Sequence, residues 1–98
     1  MKYTFRKSNI HGIGAFAKVN LDKNEPIDIG IDFILYFIPY VTEFGSKINH
    51  NYTPNCRLEY IDGKWYVVAK DKIQRGTEIT LNYSDTPWFI LGPEPHYK

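Results

Sequence analysis

Apolar and polar side chains alternate along this chain in short runs of period two, and turn-forming residues separate the runs. Tyr3-Thr4-Phe5-Arg6-Lys7 alternates rings with polar groups, which predicts a strand. Ser8-Asn9 predicts a turn, and Ala15-Phe16-Ala17-Lys18-Val19 a second short strand. Ile27, Ile29 and Ile31 alternate with Asp28, Gly30 and Asp32, the pattern of a half-buried strand. Phe33 to Tyr40 is bulky throughout and Pro39 breaks it, so it predicts one or two short strands or a helical turn. Arg57-Leu58-Glu59-Tyr60-Ile61 and Lys64-Trp65-Tyr66-Val67-Val68-Ala69 flank Asp62-Gly63, a strong hairpin signal. Asp71 to Gly76 predicts a turn, and Glu78-Ile79-Thr80-Leu81-Asn82-Tyr83 a further strand. No stretch keeps a helical period over several turns, and there is no internal repeat or linker. The prediction is a mostly β fold of short strands joined by turns.

Two stretches stand apart from this alternation. Lys47-Ile48-Asn49-His50-Asn51-Tyr52-Thr53-Pro54-Asn55-Cys56 holds three Asn, a His, a Pro and the single cysteine. Asn and His form strands poorly, and Pro54 lacks an amide donor. An irregular, ordered loop is expected. Ile48, Tyr52 and Cys56 thread through it, which suggests partial burial, and buried irregular backbone must find partners. It reads either as a polar turn held by Asx hydrogen bonds or as a binding loop. The second stretch, Gly12-Ile13-Gly14, reads either as a tight hairpin turn or as a place where backbone approaches a ligand closely. It lacks the third glycine of a dinucleotide fingerprint and the Lys of a phosphate loop.

Ninety-eight residues make one domain, residues 1–98. Within it, 1–83 bears the motifs and 84–98 is a short tail whose Trp88-Phe89-Ile90-Leu91 is expected to pack on the core. Apolar residues at 43% and aromatic residues at 16% favour a folded chain. The net charge of +1 argues against a nucleic-acid binder driven by a dense basic face. One cysteine excludes an intramolecular disulfide and a zinc site built on several Cys ligands. The lone thiol and the lack of a signal-peptide pattern predict an intracellular setting, nuclear or cytoplasmic. Phe33 to Val41 is too short to span a bilayer.

Three motifs occur in order: Gly12-Ile13-Gly14-Ala15-Phe16-Ala17, Ile48-Asn49-His50 through Pro54-Asn55-Cys56, and Gly76-Thr77-Glu78-Ile79-Thr80-Leu81-Asn82-Tyr83. Together they resemble the SET domain of protein-lysine methyltransferases. That family's motifs read approximately Gly-x-Gly-x-Phe-Ala, Arg-Phe-Ile-Asn-His-Ser-Cys-x-Pro-Asn and Glu-Leu-Thr-Phe-Asp-Tyr. The resemblance implies several small curved sheets with a C-terminal pseudoknot, of β-clip type, in which the last motif passes under the Asn-His loop. It implies methyl transfer from S-adenosylmethionine to a lysine ε-amine of a protein substrate, a histone being one candidate, with no metal.

By the same resemblance Gly12, Ile13 and Gly14 present backbone to the cofactor. Asn49 binds its amino-acid portion, His50 reaches its adenine, Trp88 covers the adenine or closes the lysine channel, and Tyr83 orients the amine. Structural alternatives stay open: an Asx turn for Asn49, a core His for His50, simple packing for Trp88 and Tyr83. Leu81 sits where a ring often tunes the product, so multiple methylation is expected. The usual Glu-Tyr of the second motif is missing, and Tyr36 or Tyr40 is expected to supply a ring to the substrate channel. Lys47 stands for the usual Arg, Asn51-Tyr52 for Ser-Cys, and Asn82 for Asp. The zinc-binding cysteines that often follow the domain are absent. Exposed rings also suggest pairing into a homodimer. The competing readings are a non-catalytic SET-like peptide-binding module and a β-clip domain that binds a carbohydrate or other small molecule.

Overall fold

The computed structural model describes residues 1–85, so the expectations for Trp88 and for most of the tail lie outside the described residues. Strand β1 (Tyr3–Lys7) turns back through Ser8–Gly12 and pairs antiparallel with β2 (Ile13–Ala17). The turn is the Ser8 loop, and Gly14 lies inside β2, paired with Arg6. The Gly-x-Gly stretch is therefore not the hairpin tip. A four-stranded antiparallel sheet follows, built from β3 (Pro26–Ile34), β4 (Ile38–Val41), β6 (Cys56–Ile61) and β7 (Lys64–Ala69) in the order β4-β3-β7-β6. The Asp62-Gly63 turn is as predicted. Both residues take positive φ, +49° and +84°, the geometry that matches the twist of the strands it joins.

Two register shifts interrupt the pairing of β3 with β7, so the alternation of Ile27, Ile29 and Ile31 is not carried into burial. Ile27 and Ile31 are buried, whereas Ile29 is half-buried. Phe33 to Tyr40 resolves into the end of β3, a tight turn and the start of β4.

Sequence periodicity missed one element, the single helical turn α1 (Glu43–Ser46). Four residues are too few to show a period. Its stability comes from Thr42, whose Oγ1 accepts from the Gly45 amide at 3.0 Å and donates to the Ile29 carbonyl at 2.6 Å. Phe44 is thereby driven into the core against the Tyr3 ring, with centroids 4.2 Å apart. A Cβ at Gly45 would strike the carbonyl oxygen of Gly30, so only glycine lets α1 lie this close to β3.

The final run was predicted as one strand over 78–83. Only β8 (Thr80–Leu81) is strand there, and it pairs in parallel with β5 (Asn49–His50) inside the otherwise irregular Asn-rich stretch. Glu78 makes a single bridge to Phe16, and Tyr83–Asp85 closes into a short 3₁₀ helix. The core gathers where these pieces meet, around Ile48, Cys56, Val67, Ile79 and Leu21. Each large aliphatic side chain there contributes roughly 1.5–3 kcal/mol by leaving water.

Cys56 is part of this core, and burial pushes its thiol up to about 12. A thiol this buried and this protonated is inert. Iodoacetamide should therefore modify Cys56 only as fast as the chain unfolds globally. Mass spectrometry of native protein showing rapid carbamidomethylation would contradict that packing.

Candidate active site

The β5–β8 pair is the hinge of the site. It sets Asn49 opposite Thr80 and His50 opposite Leu81, so the two distant motifs lie side by side. Asn55 locks the pair from the far end of the loop. Its Nδ2 donates to the Glu78 carbonyl at 2.8 Å, and its Oδ1 accepts from the Thr80 amide at 2.9 Å. The irregular loop thus finds its partners on another segment, as its burial requires. Ile48 and Cys56 are buried as expected, but Tyr52 is exposed and meets only the edge of the His50 ring, with centroids 4.3 Å apart. The Asx turn is real but belongs to Asn51, whose Oδ1 accepts from the Thr53 amide at 2.9 Å.

Asn49 is buried and does something different. Its Nδ2 lies 2.7 Å from Glu78 Oε2, 3.0 Å from Ser8 Oγ and 3.0 Å from the His11 carbonyl. Three acceptors around one amide nitrogen fix which way the amide points. The nitrogen faces inward, and no described residue bonds to Oδ1. Ser8 Oγ in turn donates to the Glu78 carboxylate at 2.7 Å and accepts from the Ile10 amide at 2.9 Å. Glu78 therefore accepts from two neutral donors, and among the described residues no basic side chain pairs with it. Among the described residues this half-buried carboxylate is met by neutral donors alone. A Cβ at Gly14 would strike Glu78 Oε2, so Gly14 makes room for that carboxylate. Gly12 has φ +49° and open space where a Cβ would stand, which leaves its backbone approachable.

On the other side of β5, the Tyr83 amide donates to His50 Nδ1 at 3.0 Å. An accepting Nδ1 carries no proton, so the neutral ring holds its proton on Nε2. Nε2 is buried and has no hydrogen-bond partner among the described residues. The Tyr83 hydroxyl donates to the Ile48 carbonyl at 2.5 Å, one residue before Asn49. A phenol that gives its proton to a backbone carbonyl turns its remaining lone-pair density toward other donors.

The structure thus brings Asn49 and Gly14 to Glu78 and packs His50 against Tyr83; Gly12 and Ile13 lie between the His11 carbonyl that Asn49 reaches and Gly14. Leu81 faces the core and lines a small cleft with Cys56, Arg57, Leu58, Asn82 and Asp85. Tyr36 is not brought to this cluster; it stands 99% exposed at the turn between β3 and β4. Tyr40 is also exposed and lies beside Asp32, whose carboxyl is held below the usual range chiefly by a hydrogen bond from Lys64. Neither ring replaces the missing second motif here. Trp88 lies outside the described residues. Glu78 and Ser8 are the participants that sequence reasoning missed. Glu is depleted in strands, so a Glu opening a β-prone run was the available signal, but its partner Ser8 lies 70 residues away.

Comparison with known proteins bears on the fold and the family. The crystal structure of a histone methyltransferase candidate from Plasmodium falciparum is similar, with a TM-score of 0.70 and 23% identity over 91% of this chain and 97% of that one. That likeness is one of fold. No curated protein matches the chain. The family model described as "SET domain" matches residues 29–84, more than half of the chain, a stretch that spans the Asn-His loop, Glu78 and Tyr83. The chain belongs to the SET domain family.

Proposed function

We propose that the chain is a protein-lysine N-methyltransferase that uses S-adenosylmethionine. The observation that carries this reading is the position of the Tyr83 hydroxyl. It is tied to the Ile48 carbonyl, one residue before Asn49, and the Tyr83 ring packs against His50.

The residues present suit the cofactor. Its groups would need a hydrogen-bond acceptor, a negative charge for its cationic end and a donor for its base. Asn49 Oδ1 and the His50 Nε2–H, without partners among the described residues, and the Glu78 carboxylate, met there by neutral donors alone, are the corresponding groups. Gly12, Ile13 and Gly14 add approachable backbone. When bound, S-adenosylmethionine supplies a methyl group on a sulfonium, already a good leaving group.

The chain's own work is then alignment and desolvation. The lysine must react as the neutral amine, although its ordinary pKa is about 10.4. A tight, dry channel lowers that value because burial disfavours the ammonium. Tyr83 accepts from the amine and aims its lone pair, and the His50–Tyr83 bond fixes where that phenol stands. Leu81 offers no hydroxyl to restrain a partly methylated amine, which favours more than one methyl per lysine.

The partner is a protein bearing a target lysine, with histones the first class to try. Neither nucleic acid nor a membrane surface is the proposed partner. The test is transfer of radiolabelled methyl from S-adenosylmethionine onto a histone mixture and onto a lysate of the source, read by gel and mass spectrometry. Label on lysine, usually more than one methyl per residue, is the expected result. Calorimetry showing no binding of S-adenosylmethionine would favour a non-catalytic peptide binder.

A further inference from the structure

The hairpin that joins β3 to β4 plays no part in the site described above. Its turn, Ile34 to Phe37, places Leu35 and Tyr36 at φ +53° and +68°. Two positive φ values in succession ordinarily call for Asn and Gly. Bulky side chains there are strained, and such strain persists only where something else holds the conformation. The same residues are openly apolar: Leu35 is 70% exposed, Tyr36 99% and Phe37 72%. Ile34 and Ile38 flank them, and Tyr40 extends the patch along the same face of β4, all exposed. Monomers rarely leave so much contiguous apolar surface in water.

We infer that two copies of the chain pair through this hairpin, with Leu35, Tyr36 and Phe37 of each copy packed on the β4 side chains of the other. Three observations favour a second copy as the occupant. These exposed residues amount to on the order of 800 Å², comparable with the roughly 800 Å² per partner of a standard interface. The hairpin from Phe33 to Val41 carries no charged side chain, and Asp32 next to it is ion-paired with Lys64 at 2.8 Å, so a two-fold contact there sets no like charges face to face. An anionic lipid surface or a nucleic acid would need basic residues, yet no Lys or Arg occurs between Pro26 and Ser46. β4 is an edge strand, but Pro39 withholds an amide from it, so the contact is one of side-chain packing and not an extension of the sheet.

Sedimentation equilibrium of the full chain across about 1 to 100 μM tests this, a range spanning typical weak to moderate self-association. The expected mass is twice the 11.5 kDa of one chain, with a melting temperature that rises with concentration. A Leu35→Asp, Phe37→Asp variant should sediment as the 11.5 kDa monomer. A second variant, Leu35→Asn with Tyr36→Gly, relieves the turn strain and removes tip contacts together. It should keep its circular dichroism spectrum yet associate at least tenfold more weakly. A wild-type chain at monomer mass throughout, or a dimer that survives both variants, overturns the inference. So does a monomer that pellets with neutral phosphatidylcholine vesicles, since the hairpin would then belong in lipid.

Discussion

Replacing Tyr83 by Phe should lower the rate of methyl transfer about 100- to 1000-fold, the usual cost of losing one positioned polar group at a reacting centre. The ring would stay where it is, because the Tyr83 amide keeps its bond to His50 Nδ1 and the two rings remain packed at 5.1 Å. What disappears is one oxygen. With it go the donor to the Ile48 carbonyl and the acceptor proposed for the lysine amine. Lost stability should be only about 1 kcal/mol, since a single partly exposed hydrogen bond contributes no more. The cofactor dissociation constant should move less than threefold. Steady-state kinetics and calorimetry on the same variant separate the two effects. A rate within threefold of wild type would leave Tyr83 as packing and remove the phenol from the mechanism.

The largest effect on stability should come from Asn49→Asp. The substitution keeps shape and size but exchanges the inward amide for a second carboxylate, 2.7 Å from Glu78 Oε2 and 3.0 Å from the His11 carbonyl. Two carboxylates at that distance cannot both stay ionised, and an acceptor would face an acceptor at each contact. About 3–5 kcal/mol is the expected cost at neutral pH. That is a large part of the total for a domain of this size, typically about 5–15 kcal/mol. Adding Glu78→Gln should restore much of the loss, because the Gln amide can donate to the new carboxylate. Urea unfolding of the two single variants and the double variant measures the coupling. If the double variant is no more stable than Asn49→Asp alone, the Asn49–Glu78 contact is not what holds the two motifs together.

The parts of the fold governed by neighbouring residues were legible from sequence. Asp62-Gly63 dictates its own turn, and the residues on each side have only each other to pair with. Tyr3–Lys7 is similarly local. The misreadings occur where a distant residue decides. Glu78 to Tyr83 has the composition of one strand, but Ser8 and Asn49 claim the Glu78 side chain, and His50 claims the Tyr83 amide. Only Thr80 and Leu81 remain to pair. Gly14 looked like half of a turn; its actual reason is Glu78, which is far off in sequence. The site was legible only through the order of the motifs. Their residue types alone could not separate the Asx turn at Asn51 from the clamp at Asn49. Tyr36 illustrates the opposite limit: its turn breaks the local rule for positive φ, so nothing nearby announced where its ring would stand.

The central claim is that β5, with both of its side chains, and the first Gly-x-Gly form a single site for S-adenosylmethionine. Titration of the cofactor into ¹⁵N-labelled protein, followed by two-dimensional NMR, tests it most directly. The account predicts that the amides of Gly12, Gly14, Asn49 and His50 shift together with one dissociation constant, while Tyr36 and Tyr40 do not move. Saturating cofactor that leaves those amides in place, or that moves only residues of the four-stranded sheet, would contradict it.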